Sequence, residues 1–257
     1  MNDALDVAAL RDAPLARTVE VHAELGSTND RARELLAIGA GLPALVVADR
    51  QTDGRGRGAN RWWTADGALT FSIAVDAALR GLSPSRYGLI SLATAVAISD
   101  AVRETTGLVA GVKWPNDVYL DGRKLAGVLI EAPLPGTLVV GVGINVRNRF
   151  DQAPAEVRAR ATSLVEYAEI TRQSVLAAFL WAYDDRLRQI ESGDASPIQA
   201  ARFACVLTSR IVTLRVGELV TTGECVGVAD DGALRLKSNG GVANFYAGTI
   251  EHIAENA

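Results

Sequence analysis

Apolar β-branched runs alternate with helical periodicities along most of the chain. Thr18–His22, Leu45–Ala48, Leu69–Val75, Gly111–Lys113, Asp117–Leu120, Leu125–Glu131 and Leu138–Ile144 read as strands. Ser27 or Thr28 caps a helix through Ile38, which Gly39 ends, and Ser83-Pro84 opens a long helix that stops before Gly107. Thr171 caps a third, whose Leu176, Phe179, Leu180, Tyr183, Leu187 and Ile190 keep one face, and a short fourth begins at Ser196-Pro197. After Cys205 the texture changes to short strands at Ile211–Val216, Leu219–Gly227, Ala233–Lys237 and Val242–Ala247, with a hairpin turn at Asp231-Gly232. So short a stretch buries little by itself, which predicts a small barrel packed on a larger domain. Hairpins mixed with helices predict an α+β fold, with one domain over residues 1–205 and a β domain over 206–257.

Composition narrows the chemistry. The chain has 257 residues, 49% of them hydrophobic, and a net charge of −4, so no global field draws it to nucleic acid or acidic lipid. Any anion site must be local. No apolar run approaches the roughly 20 residues of a membrane span, and the N-terminus lacks the basic and apolar regions of a signal peptide. Two separated cysteines, Cys205 and Cys225, suit neither a disulfide framework nor a zinc site, and a cytoplasmic location is expected. With His22 and His252 as the only histidines, a Ser-His-Asp triad is disfavoured.

One loop stands out, QTDGRGRGANRWW at Gln51–Trp63, in a connection of roughly twenty residues, longer than most. Its glycines let backbone approach a ligand, and Arg55, Arg57 and Arg61 offer planar forks for phosphate or carboxylate. A solvated arginine loop is the plain alternative. Trp62 and Trp63 weaken that reading, because adjacent residues of a strand face opposite ways, one into a core and one beside the arginines as a stacking face. No Gly-Lys-Ser/Thr follows, so it is not a Walker loop.

A second constellation lies at GVKWPNDVYLDGRKLAGVLIE. A hairpin through Asp121-Gly122 brings Lys113 and Lys124 onto antiparallel arms, where their ammonium groups can converge on one anion. Asp117 lies between them in sequence, where it could meet magnesium, a ribose hydroxyl or an incoming amine, and Asn116-Asp117 could also be a plain turn. Spacing alone points to a nucleotide phosphate site.

Together these motifs resemble those of the biotin protein ligases. Ser27-Thr28-Asn29, then Gln51 with Gly54-Arg55-Gly56-Arg57 and Arg61-Trp62, then Lys113-Trp114-Pro115-Asn116-Asp117, Lys124-Leu125-Ala126-Gly127 and Gly141-Val142-Gly143-Ile144-Asn145 follow the family's order, as does ATSL at Ala161–Leu164. The resemblance implies a mixed-sheet catalytic domain of the biotin/lipoate ligase type with an SH3-like C-terminal barrel. It implies that biotin and MgATP give biotinyl-5′-AMP and pyrophosphate, and that biotin then passes to a lysine of a biotin carboxyl carrier domain of a carboxylase. By the same resemblance Ser27, Thr28, Asn29, Gln51, Gly54, Arg55 and Gly127 hold biotin, while Arg57, Trp62, Lys113, Asn116, Lys124 and Asn145 hold ATP and the adenylate. Arg57, Lys124, Lys113 and Asp117 are the catalytic candidates, Asp117 as base. Mg2+ would enter on the ATP phosphates, with no dedicated protein ligands assigned. The glycine-rich loop is expected to be disordered until biotin arrives and then to close over the adenylate.

The sequence also departs from the family. Ala59 stands where many relatives have glycine and Asn60 where the repressor-type members have arginine, so no role is assigned to Asn60. The segment Arg147–Glu156, expected over the adenine, has no alignable motif, and Phe150 is its one aromatic candidate. Fewer than twenty residues precede the catalytic pattern, against roughly sixty for the winged helix-turn-helix of bifunctional ligases, so no operator binding is expected. Monomer and weak homodimer both stay open. Rival readings are a lipoate or octanoate transferase, which lacks this arginine loop, a single-strand nucleic-acid binder, which the acidic balance disfavours, and a catalytically silent biotin-binding protein.

Overall fold

The computed structural model of the protein describes residues 3–254. A short α1 (Val7–Arg11) leads into β1 (Thr18–Leu25), α2 (Thr28–Ala37), β2 (Ala44–Gln51) and β3 (Ala68–Asp76). The long α3 (Tyr87–Thr106) precedes β4 (Gly111–Lys113), β5 (Asp117–Leu120), β6 (Arg123–Glu131) and β7 (Thr137–Asn145). Then come α4 (Ala155–Arg158), α5 (Arg172–Ser192) and α6 (Ser196–Ala204). The remainder is β8 (Ile211–Val216), β9 (Leu219–Val228), β10 (Leu234–Ser238), β11 (Gly241–Phe245) and β12 (Thr249–Ala254). The α+β reading holds. The sequence pattern missed α1, α4 and β12, whose exposed or very short character leaves little periodicity to read.

Seven strands form one mixed sheet in the order β1-β2-β3-β7-β6-β5-β4, with only β1 and β2 parallel among its ladders. Its strands are sided. Leu45, Val47, Leu69, Phe71, Ile73, Val75, Leu138, Val140, Val142 and Ile144 join one core with α3 and α5, where Phe71 meets Phe179 edge-on at 5.1 Å. The alternate residues face the other way. Ala44, Val46, Ala74 and Val139 pack under Ala32, Leu35 and Leu36 of α2, while further along the same face the residues become Ser72, Gly141, Gly143 and Gly127. The functional face is therefore the stretch of sheet beyond the apolar face of α2, from the N-terminal end of that helix outward.

The C-terminal strands form a five-stranded antiparallel sheet, β11-β10-β9-β8-β12. Several bonds tie it to the rest: Trp114 Nε1 donates to the Gly232 carbonyl at 3.0 Å, and Arg202 pairs with Asp230. The free thiols of Cys205 and Cys225 are both buried near this seam. Trp114, 3% exposed, is the buried tryptophan; Trp62 and Trp63 are both half-buried, so the expectation that one of that pair enters the core fails. Trp63 instead packs on Phe150, ring centroids 5.8 Å apart.

Candidate functional site

A cavity of about 610 Å³ opens on the functional face. Ser27, Thr28, Asn29, Gln51, Arg55, Arg57, Trp62, Lys113, Asn116, Asp117, Lys124 and Gly127 all line it. Its far wall comes from the C-terminal sheet, through Arg215, Gly217, Gly248 and Thr249. Gly54 and Asn145 lie off this lining. Gly54 opens on a neighbouring hollow of about 430 Å³, and Asn145, 3% exposed, accepts from Asn148 Nδ2 at 3.0 Å.

At the β2 side the polar groups form a chain. Ser27 occupies the N-cap of α2 without making a side-chain cap bond. Gln51 supplies the cap from outside the helix, its Oε1 accepting from Thr28 N at 2.8 Å. Ser72 Oγ lies 2.6 Å from Asn29 Oδ1 and 2.8 Å from Thr28 Oγ1. An amide oxygen only accepts and a hydroxyl carries one proton, so Ser72 donates to Asn29, while Thr28 Oγ1 lies within reach of both Ser72 Oγ and Gln51 Oε1, the latter at 3.2 Å. Asn29 then donates to Glu131 Oε2 at 2.7 Å. Sequence reading missed Ser72 and Glu131; a lone serine in the apolar run LTFSIAV was the signal available.

The strand floor is cleared by glycine. A Cβ on Gly141 would overlap Asn29 Oδ1 and one on Gly143 would overlap the Trp62 indole, while Val140 and Val142 beside them face the core. Gly141→Ala is therefore expected to displace Asn29 and cost about 1–3 kcal/mol, the usual range for overpacking. An unchanged urea midpoint and slope would refute that.

The arginine loop is folded back as a hairpin. Trp62 N donates to Gly54 O at 3.0 Å and Gly56 N to Asn60 O at 2.8 Å. Arg55 is pinned to Asp30 at 2.8 Å and to both Glu131 oxygens at 3.1 Å. Arg61 pairs with Asp53. Asn60 Nδ2 donates to the Arg57 carbonyl, closing the loop tip. Of the three arginines, Arg57 alone lacks a carboxylate partner among the described residues.

On the β4 side the register builds a cationic cluster. Lys113 of β4 stands opposite Asp117 of β5, and on the other side of β5 Tyr119 stands opposite Lys124 of β6, across a hairpin whose Asp121 and Gly122 take φ of 49° and 73° as a two-residue turn requires. Lys124 Nζ sits 2.7 Å from Asp117 Oδ1, and Lys113 Nζ donates to Tyr119 Oη at 3.2 Å. Burial pulls the Lys113 ammonium below the usual lysine range; Asp117 opposes the shift, and Lys124 and Arg160 add to it. Burial, reinforced by Asp117, pushes the Tyr119 hydroxyl up to about 12. The two lysines do face one cavity, but not from the two arms of one hairpin: Lys113 comes from β4 and Lys124 from β6, on opposite sides of β5, because the chain adds a further antiparallel strand before the Asp121-Gly122 turn.

Lys113 carries a pH-dependent stability cost. The unfolded chain keeps an ordinary lysine, protonated up to about 10.4, whereas the folded one releases its proton earlier. Between those values the unfolded state binds more protons, so this contribution to stability rises with pH. Lys113→Met is expected to exceed wild type in stability at neutral pH, with the gap narrowing toward pH ~10.4. Denaturant midpoints across that range check it, and a gap that widens with pH would refute it.

The Biotin/lipoate A/B protein ligase family profile matches residues 26–147, and that of the Biotin protein ligase C terminal domain matches 210–253. The chain is 32% identical over 263 residues to the biotin–[acetyl-CoA-carboxylase] ligase of Mycobacterium tuberculosis, covering 97% of this chain and 96% of that one. The chain belongs to the biotin protein ligase family. It is also 31% identical over 239 residues to the bifunctional ligase/repressor BirA of Bacillus subtilis, covering 90% of this chain and 72% of that protein. Among solved structures, a biotin protein ligase from Aquifex aeolicus in complex with biotin and ATP matches with a TM-score of 0.81 at 28% identity, over 92% of this chain and 98% of that one. In biotin protein ligase terms, the wall that sequence motifs did not reveal is the C-terminal one, with Arg215, Gly217 and Gly248.

Proposed function

We propose that this biotin protein ligase joins biotin to AMP and then passes the biotinyl group to a lysine of a biotin carboxyl carrier domain of a carboxylase. The observation that carries this reading is the division of one cavity into two chemistries. Hydroxyl and amide groups of Ser27, Thr28 and Gln51 stand on the β2 side, across β3 and β7 from the cations Lys113, Lys124 and Arg57. A urea head needs paired donors and acceptors in a small pocket, and the first set supplies them.

In the first step a biotin carboxylate oxygen attacks the α-phosphorus of ATP, and the bond to pyrophosphate breaks. Two anions must meet. Lys124 and Arg57 would stabilise the crowded charge, with Lys113 beside them. Asp117 is the one carboxylate lining this cavity, and no cluster of three acidic, histidine or cysteine groups occurs among the described residues. That donor set suits Mg2+, which takes one or two carboxylates and keeps the rest of its shell on substrate phosphates and water. When bound, Mg2+ would neutralise phosphate charge. In the second step the carrier lysine attacks the acyl carbon, the bond to the phosphate oxygen breaks, AMP leaves and the amine proton is taken up. A lysine near pH 7.4 is neutral about one time in a thousand. Asp117 is proposed as the acceptor of its proton, through Oδ2, since Oδ1 is engaged by Lys124.

We further propose that Trp62 stacks on adenine, that Asn145 meets its edge, that residues 1–205 form the catalytic domain, and that the enzyme works in the cytoplasm. No helix among the described residues is long and apolar enough to cross a membrane. Operator binding by these 257 residues is not expected at a net charge of −4; tight, salt-sensitive DNA binding would overturn that. The deciding experiment is ATP–pyrophosphate exchange with biotin, with lipoate and with no acid. Biotin-dependent exchange supports the reading, lipoate-dependent exchange replaces the substrate, and exchange with neither removes the adenylation step.

A further inference from the structure

Arg57 hangs between two neutral acceptors from different parts of the fold. Its Nη1 donates to Asn116 Oδ1 at 3.2 Å and its Nη2 to the Gly248 carbonyl at 3.1 Å. Neither partner cancels its charge. Arg55, two residues earlier, shows the alternative, with its guanidinium neutralised by Asp30 and Glu131. Arg57 thus has a fixed direction and keeps its full charge for an anion that enters the cavity. Burial costs the guanidinium some of its affinity for the proton, and the nearby Asp117 offsets part of that.

Both acceptors are themselves fixed. Asn116 Nδ2 donates to the Val128 carbonyl at 2.6 Å, and a carbonyl accepts only a donor, so the amide cannot flip and Oδ1 is left for Arg57. The Asn116 backbone carbonyl also receives Val128 N at 2.9 Å, tying the residue to β6 twice. Gly248 has φ of 142°, a conformation that L side chains rarely adopt. A Cβ there would lie 2.6 Å from Leu214 Cδ1 and 2.8 Å from the Arg215 carbonyl. Only glycine lets the turn before β12 present this carbonyl to the loop. The contact spans 191 residues of sequence and crosses from the C-terminal sheet to the catalytic loop.

We propose that Asn116 and Gly248 are positioning residues for Arg57, and that the C-terminal sheet takes part in forming and retaining the acyl-adenylate through the Gly248 carbonyl. The proposal rests on the adenylating function given above and assigns the C-terminal sheet a specific part in it. Asn116 acts on the phosphate side through the arginine, since its own amide is committed to Val128 and Arg57.

The test is a double-mutant cycle in the full chain. Asn116→Ala and Gly248→Ala are each made with Arg57 intact and with Arg57→Ala, and two quantities are read: the ATP KM in biotin-dependent pyrophosphate exchange, and the dwell time of the adenylate after gel filtration. With Arg57 intact, each is expected to change these by about tenfold, the scale of one hydrogen bond to a charged group. With Arg57 already alanine, the same substitutions are expected to change them by less than about twofold. Biotin KM is expected to stay put throughout. Equal, additive effects in both backgrounds would overturn the proposal, because a merely structural role is indifferent to Arg57. Should Gly248→Ala fail to fold, insertion of one glycine between Ala247 and Gly248 moves the carbonyl without adding a side chain. Unchanged dwell time in that insertion would remove the part given to the C-terminal sheet. Absence of biotin-dependent exchange in the wild type would remove the adenylation reading itself, whereas additive effects with exchange intact remove only this inference.

Discussion

Lys124→Ala is expected to lower biotin-dependent ATP–pyrophosphate exchange by about 10²–10³-fold, the usual effect of losing one charged donor aimed at a transition state. Two consequences act in the same direction. The ammonium that would meet the α-phosphate oxygens is gone, and Asp117, which Lys124 holds at 2.7 Å, loses its ion-pair partner and keeps only the more distant Lys113 and Arg57. An anion approaching the site would then meet a weaker attraction, with the freed carboxylate opposing it. The fold should survive, because Lys124 is half-buried and its backbone stays in place through Thr162 N donating to its carbonyl at 3.0 Å. Exchange at the wild-type rate would show that the phosphates lie elsewhere. Lys124→Arg separates charge from shape: a planar fork keeps the charge but not the point contact with Asp117, so partial recovery is the expected outcome.

Arg57→Gly is expected to have the second largest effect, and on a different quantity. Adenylation should continue, but the bound adenylate should escape about 10–100 times faster, as expected for the loss of charge-assisted hydrogen bonds. A glycine removes the guanidinium and also the two bonds, to Asn116 and Gly248, that close the loop across the cavity. An escaped mixed anhydride acylates any neutral amine it meets, so a lysine-rich bystander protein in the same tube should become labelled. The bystander is the better reporter, since the chain has only three lysines of its own, Lys113, Lys124 and Lys237. Unchanged retention together with unchanged selectivity would remove the gating role from this loop.

Much of the site was legible before any coordinates because its chemistry sits in short contiguous motifs. Asp117 and Lys124 fall on a tight hairpin with a two-residue turn, which places its side chains by simple alternation, and Lys113 ends the strand just before it. The GVGIN run was legible only as one of the ordered motifs; that its alternate glycines clear the way for Asn29 and Trp62 was decided by the structure. Other parts were not legible. Ser27 sits at the N-cap as its type predicts, yet the cap bond to Thr28 N comes from Gln51, twenty-three positions away in sequence. Arg55 and Arg57 share one sequence context, and only their surroundings separate a neutralised pin from a free charge.

By itself the sequence determined the α+β class, most of the strands and helices, the family and the cluster of residues around the hairpin. These follow from local periodicity, turn chemistry and ordered motifs, which act over a few residues at a time. Only the tertiary structure decided which face of the sheet is open, that the apolar face of α2 covers only part of it, and that Ser72 and Glu131 complete a polar chain begun at Thr28. It alone placed Gly248 of the C-terminal sheet on Arg57. The physical reason is that a hydrogen bond or an overlap between distant residues depends on how whole layers pack, and burial of the apolar face that drives this packing is directionless until the partners meet.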